Sequence, residues 1–247
     1  MRNWYEESFG DDYLQVYSHR SQHEALHQVK KMIGWLKLPA NSHILDLCCG
    51  AGRHALALVE AGFRMTGIDL SPHLLNEARK ADKNRQINWI ESDMRHLPEE
   101  ADLQGKFDAV INLFTSFGYF EEDEEQIQVL REIRKALKPC GRFMMDLLNE
   151  GFVREHLIPY SKREVNGISI SETRSLVNGF VVKDICIDEE GKPSRHYRER
   201  VKLYSLSLMT DMLEGTGLRV DYVYGDYQEN VYDAWQSPRM IIVGQRV

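Results

Sequence analysis

The apolar positions near the start of the chain recur at helical spacing. In "QHEALHQVKKMIGWLKL", 22–38, Ala25, Leu26, Val29, Met32, Ile33 and Leu36 fall three or four residues apart and Pro39 follows as a stop, which predicts a helix. The pattern then shortens. "SHILDLCCG" reads as an apolar strand, "RHALALVEAG" as a helix closed by Gly62, and "FRMTGIDLS" as a strand. "PHLLNEARKAD" follows as a helix with Ser71 at its N-cap and Pro72 in its first turn. Two further strands, "INWIESD" and "FDAVINLF", precede a helix over 122–138 and a strand "GRFMMDLLN" after the turn Pro139 to Gly141. Strands alternating with helices imply a parallel, doubly wound sheet whose ligands sit at the carboxyl ends of the strands.

Near residue 152 the texture changes. "SISETRSLVNGFVVKDICIDEEGKPSRHYRERVKLYS" predicts three strands joined through Asn178-Gly179 and the "DEEGK" turn, both hairpin signals. A short helix, "SLMTDMLEGTG", and two more strands, "LRVDYVYGDY" and "PRMIIVGQRV", then rejoin the first sheet as a hairpin. The expected class is α/β: a Rossmann-like, doubly wound, mostly parallel seven-stranded sheet with a C-terminal antiparallel hairpin and an inserted antiparallel β subdomain. Residues 1–151 and 205–247 would form the core, and 152–204 a cap or a pairing element for a homodimer.

Composition narrows the class. The 247 residues are 43% hydrophobic, enough for one large core or two small ones. No run of eighteen apolar residues occurs, and the start "MRNWYEESFGDDY" lacks the basic and apolar regions of an export signal. A soluble cytoplasmic protein with no membrane partner is expected. A net charge of −7 argues against a long groove for a phosphate backbone, so nucleic acid is a disfavoured partner. Of the four cysteines, Cys48, Cys49, Cys140 and Cys186, none forms a Cys-x-x-Cys pair, so no metal site is expected and the thiols read as small, reduced, apolar groups. The acidic run Glu121 to Glu125 stands where a helix macrodipole favours negative charge, which predicts a capping role.

The chemistry concentrates in "DLCCGAGRH", 46–54. Gly50 to Ala55 satisfies the dinucleotide pattern G-x-G-x-x-G/A between a strand and a helix, with Asp69 at the end of the next strand. The pattern alone fits several cofactors. Asp46, four residues before Gly50, would repel a pyrophosphate but attract an ammonium. Asp69 can accept both ribose hydroxyls. Asp93, ending the third strand, can accept from an adenine amino group while the Met94 N–H meets a ring nitrogen.

With these residues in place, the sequence resembles the class I S-adenosylmethionine-dependent methyltransferases, closest to bacterial small-molecule enzymes of the amino-sugar and glycine N-methyltransferase types. "ILDLCCGAGRH", "GIDLS", "ESDMRHLP", "FDAVINLFTSFGYF" and "LKPCGRFMMDLLN" stand in the family's order. The resemblance implies S-adenosyl-L-methionine as cofactor, with S-adenosyl-L-homocysteine as product. By it Asp46 and Gly50 serve the methionine part, Gly52 the loop, Asp69 and Leu70 the ribose, and Asp93 and Met94 the adenine. Asn112 and Phe114 would stand near the methyl group. Cys48, Ser71 and Tyr17 complete the expected cofactor set. Cys48 and Cys49 replace a small residue and Cys, and Cys140 replaces a common glycine; neither change removes a ligand.

A methyl acceptor must be aligned, and an amine must be neutral. His54 and Tyr119 are the expected catalytic residues, with Tyr13, Tyr17 and His19 as further candidates and the N-terminal segment as a lid. Phe114 and Tyr119 are the preferred pocket residues. Arg195, His196, Arg198 and Arg200 either cover the acceptor or form a solvated face, since acidic neighbours nearly balance them. The expected function is methyl transfer to a small-molecule acceptor at nitrogen or oxygen. Three alternatives stand beside it: a tRNA methyltransferase, a non-catalytic S-adenosylmethionine-binding protein, and an NAD-dependent oxidoreductase. "NLFT" at 112–115, in place of Asn/Asp-Pro-Pro-Tyr, argues against an adenine base or a protein amide as acceptor.

Overall fold

The structure is a computed structural model that describes residues 3–18 and 21–247; His19 lies outside the described residues. One seven-stranded sheet organises the chain. Its strands are β1 (His43–Leu47), β2 (Arg64–Asp69), β3 (Ile87–Glu91), β4 (Phe107–Asn112), β5 (Leu137–Leu148), β10 (Leu218–Tyr224) and β11 (Arg239–Arg246), in the order β10-β11-β5-β4-β1-β2-β3. β3, β2, β1, β4 and β5 pair parallel; β11 runs opposite to them, and β10, antiparallel to β11, runs in their direction again. The doubly wound sheet with its C-terminal hairpin is therefore present as expected.

Helices α3 (Gln22–Leu36), α4 (Arg53–Glu60), α5 (Pro72–Ala81), α6 (Asp123–Ala136) and α8 (Leu206–Gly215) cover the sheet. Alternating strand residues divide between two cores, because successive side chains point to opposite faces. Leu45, Val110, Phe143 and Ile242 pack with α6 and α8. Ile44, Ile111, Met144 and Ile241 pack with α3 and α4 on the other face. Helix α3 ends at Leu36, the last position of its apolar pattern, where Lys37 takes a left-handed φ of 49°. Ser71 caps α5 as expected, accepting the Leu74 N–H. Among the described residues no helix is long and apolar enough to cross a membrane.

The insertion departs from expectation. It is a four-stranded antiparallel sheet, β6 (Tyr160–Val165), β7 (Ile168–Val177), β8 (Phe180–Glu189) and β9 (Arg195–Lys202), preceded by a helix α7 (Glu150–His156). β6 was not expected, because "YSKREV" alternates mostly charged residues on an edge. Helix α7 was not expected either: it has seven residues and none is buried. The N-terminal segment forms α1 (Trp4–Ser8) and α2 (Tyr13–Val16), and Val16 packs against Ile170, Ile185 and Ile187 of the insertion.

The acidic run places Asp123, Glu124 and Glu125 in the first turn of α6, where the macrodipole favours negative charge as expected, but it supplies no side-chain cap. Glu122 stands at the N-cap position without a side-chain cap bond. Glu121 instead pairs with Arg200, Asp123 with Lys202 at 2.7 Å, and Glu125 with Arg95 at 2.6 Å, so two of these carboxylates tie the insertion to the core. All four cysteines are free thiols, but Cys140 is exposed rather than packed, on a left-handed residue of the turn in β5.

Candidate active site

The carboxyl ends of β1 to β4 open into a cavity of roughly 230 Å³, closed from above by α1, α2 and the aromatic residues between them. Asp46, Cys48, Gly50, His54, Asp69, Leu70, Asp93, Met94, Phe114, Tyr119 and Tyr17 all stand on its wall. One strand-end cluster thus gathers most of the expected site.

Its electrostatics begin with Asp46. The carboxylate is 2% exposed and, among the described residues, receives no hydrogen bond. Burial first, and the Asp69 charge second, push its pKa up to about 7, with Arg53 opposing. Asp69 is held more firmly: Oδ2 accepts the Gly50 N–H at 2.7 Å and Oδ1 the Ser71 N–H at 2.9 Å. Burial still raises its pKa, and these backbone bonds partly offset the rise. Each oxygen retains a further lone pair for a ligand hydroxyl.

At the end of β3, Asp93 is already engaged. Its two oxygens accept from the Arg95 guanidinium, with Nε 3.1 Å from each, and Oδ1 also accepts the Arg95 N–H at 2.8 Å. Burial works against ionisation, but Arg95 outweighs it and holds Asp93 below its ordinary value. Arg95 in turn pairs with Glu125 and lies over Phe120 at 4.3 Å. Met94, beside Asp93, brings its sulfur to 3.3 Å from Cys48 Sγ.

Three expected cofactor residues are not on the wall. Gly52 has φ +77, and a Cβ there would meet the Trp89 ring at 2.3 Å, so both the backbone conformation and the packing call for glycine. Ser71 spends its hydroxyl on the α5 cap and on a 2.7 Å bond to the Phe9 carbonyl, tethering the N-terminal segment. Asn112 is fully buried and donates to the carbonyls of Leu47 at 3.0 Å and Ser116 at 3.1 Å, fixing the turn after β4 rather than facing the cavity.

That turn carries two consecutive left-handed residues, Phe114 at φ 56° and Thr115 at φ 67°. Phe114 stacks on His54 with ring centres 5.1 Å apart, and the Arg53 guanidinium lies 4.2 Å from its centre. His54, on the first turn of α4, has Nε2 2.9 Å from Gln28 Oε1. The Gln28 amide nitrogen donates to Glu24, so Oε1 faces the ring and Nε2 carries the proton.

A second cavity, about 690 Å³, adjoins the first and shares Phe9, Tyr13, Tyr17, Phe114 and Tyr119 with it. The insertion supplies its far side. Tyr17 donates to Glu199 at 2.6 Å and accepts from Lys183, which also pairs with Glu199 at 2.6 Å. Tyr197 and Arg195 hold Asp12, at 2.6 and 2.8 Å, and Ser8 donates to the Arg198 carbonyl. Of the readings open for the insertion's arginines, Arg198 and Arg200 follow the solvated face balanced by acidic neighbours: Arg198 pairs with Asp184 at 2.6 Å, and Arg200 with Glu121.

Sequence reasoning missed Asp146 and its partners. Fully buried near the end of β5, Asp146 accepts from Phe114 N, Tyr227 Oη and Arg239 Nε at 3.3, 3.2 and 2.7 Å. A lone carboxylate inside the apolar run "FMMDLLN" was the available signal, since a buried charge needs partners.

Comparison with known proteins agrees with this geometry. Residues 44–141 match the family described as a methyltransferase domain. The chain is 28% identical over 210 residues to the cypemycin N-terminal methyltransferase of a Streptomyces species, covering 82% of both. It is 32% identical over 133 residues to the glycine/sarcosine N-methyltransferase of Aphanothece halophytica, covering 51% of this chain and 49% of the relative. Three relatives at 31 to 33% identity are matched over about half of their own length, 53, 49 and 45%. Among solved structures, the CcbJ methyltransferase of Streptomyces caelestis superposes with a TM-score of 0.81 at 18% identity, over 97% of this chain and 98% of that one. Residues 44–141 are thus similar to a methyltransferase domain, and the chain as a whole shares the fold of a solved methyltransferase.

Proposed function

We propose that this chain transfers a methyl group from S-adenosylmethionine to a small-molecule acceptor at nitrogen or oxygen. The observation that carries the reading is Asp46, a carboxylate buried at the cavity wall that no described residue hydrogen-bonds. Such a group is stabilised by a ligand cation and repels a pyrophosphate. The rest of the wall fits the same cofactor. A Cβ at Gly50 would approach only Leu74 Cδ1, at 4.0 Å, so the loop backbone faces open space there. Asp69 has acceptor capacity for ribose, and Leu70 and Met94 offer apolar surface to a base.

Bound S-adenosylmethionine supplies an electrophilic methyl group on a sulfonium. The chain's own contribution is alignment and exclusion of water, which this chemistry needs more than strong acid catalysis. Phe9, Tyr13, Tyr17, Phe114 and Tyr119 form the wall common to both cavities, and their ring faces suit a cation. Burial pushes the Tyr119 phenol well above its ordinary value, so it keeps its proton and orients the acceptor by hydrogen bonding rather than acting as a base. His54, with Nε2 2.9 Å from Gln28 Oε1, holds Phe114 by stacking. An amine acceptor accords with the Streptomyces relative, by name an N-terminal methyltransferase.

Calorimetric titration with S-adenosylmethionine, S-adenosylhomocysteine and NADH in parallel tests the reading. Binding of the first two without NADH is expected, followed by S-adenosylhomocysteine formation with an amine panel. NADH binding alone would overturn it.

A further inference from the structure

The second cavity is lined by His156 and four Arg or Lys side chains, Arg163, Arg174, Lys183 and Arg239, and by two carboxylates, Glu172 and Glu199. Three of the cations are paired within the wall, with two carboxylates between them. Arg163 Nη1 donates to Glu172 at 3.0 Å, Arg174 also donates to Glu172, and Lys183 pairs with Glu199 at 2.6 Å. Arg239 is placed differently. Its Nε donates to Asp146 Oδ1 at 2.7 Å, and its Nη2 donates to Thr115 Oγ1 at 2.9 Å and to the Asp146 carbonyl at 3.1 Å. Among the described residues, none accepts from Nη1.

The guanidinium is therefore fixed along one edge by a fully buried carboxylate and by the turn that carries Phe114, and its remaining edge belongs to the cavity wall. Arg163 and Arg174 share Glu172, so counting Asp146 behind the wall four cations face three carboxylates, and the cavity as a whole has one positive charge in excess for an entering oxyanion. A guanidinium held in place before binding loses little freedom when it pairs with a carboxylate or phosphate.

We propose that Arg239 binds an oxyanion of the methyl acceptor, a carboxylate or a phosphate, and so directs the acceptor's reacting end toward the wall formed by Phe114 and Tyr119. The acceptor role rests on the methyltransferase reading; the oxyanion site does not. Acetate and inorganic phosphate serve as probes. Their 13C and 31P line widths would be followed on adding the full chain, with and without saturating S-adenosylhomocysteine.

Broadening is expected with the wild type, absent in Arg239→Gln and weakened roughly tenfold in affinity in Arg239→Lys, which keeps a cation beside Asp146 but loses the fork. Circular dichroism reports whether each variant is folded. No broadening with the wild type, or equal broadening with wild type and Arg239→Lys, overturns the proposal. A response to acetate but not phosphate supports a carboxylated acceptor, and the reverse a phosphorylated one. Failure of S-adenosylhomocysteine to bind, with an Arg239-dependent oxyanion response intact, removes the methyltransferase reading and leaves the anion site standing.

Discussion

Asp46 and Asp69 lie at neighbouring strand ends and are both buried, but only Asp69 is bonded to the loop backbone. The difference has a sign in pH. The Asp46 carboxyl ionises near 3.8 when unfolded and about 7 when folded, so between those values the folded chain keeps a proton that the unfolded chain has lost. Stability of the ligand-free protein therefore falls as pH rises through that window. A cation placed beside Asp46 reverses the preference, so cofactor binding should release a proton below about pH 7 and weaken as pH falls. Titration in buffers of different ionisation enthalpy measures the release. Asp46→Asn should abolish it, raise the melting temperature of the ligand-free protein at pH 8, and lower S-adenosylhomocysteine affinity by roughly 10- to 100-fold. An unchanged affinity would remove Asp46 from the cation site. Gly52 calls for a different assay. Gly52→Ala forces a methyl against Trp89 and the Ala78 Cβ at a left-handed φ, and should cost about 1–3 kcal/mol in urea unfolding.

At the scale of elements, α1 and α2 close the first cavity and are anchored on both sides: on the core through Phe9 to Ser71 and Trp4 to Tyr119, and on the insertion through Ser8 to β9, Asp12 to Tyr197 and Arg195, and Tyr17 to Glu199 and Lys183. The seven-stranded sheet is paired without this segment. Deleting residues 1–18 should preserve the circular dichroism of the sheet while lowering S-adenosylhomocysteine affinity at least about tenfold, because the cavity loses one wall. Retained affinity would show that the segment serves only the acceptor. The sequence made the core strands, the loop and Asp69 legible because their periods and turn residues are local signals. It concealed α7 and β6, whose residues are short and largely exposed, and the placement of Gly52, Ser71 and Asn112, whose partners are Trp89, Phe9 and the turn after β4. Arg239 and Asp146 are 93 positions apart in sequence. No spacing rule joins them; only the antiparallel pairing of β11 with β5 does.

Across the whole molecule, burial is distributed unevenly between the two sheets. β1 and β4 sit between other strands and carry helices on both faces, with Leu45, Phe107 and Ile111 fully buried. The insertion buries Ile170 and Ile187 on one side, while Tyr160 and Val177 are 57% and 48% exposed. Amide exchange follows the free energy of the smallest opening that frees each bond, so strands covered on both faces should open only with global unfolding. Native-state hydrogen exchange is expected to rank β1 and β4 slowest, β7 and β8 intermediate, and β6, with one unpaired edge, fastest among the strands. Saturation with S-adenosylhomocysteine should then slow residues 3–18 and 113–119, which contribute aromatic residues to the wall of the first cavity, and leave β6 and β7 unchanged. Equal slowing throughout the insertion would mean that both sheets open as one unit, and would require the second cavity to form together with the first rather than beside it.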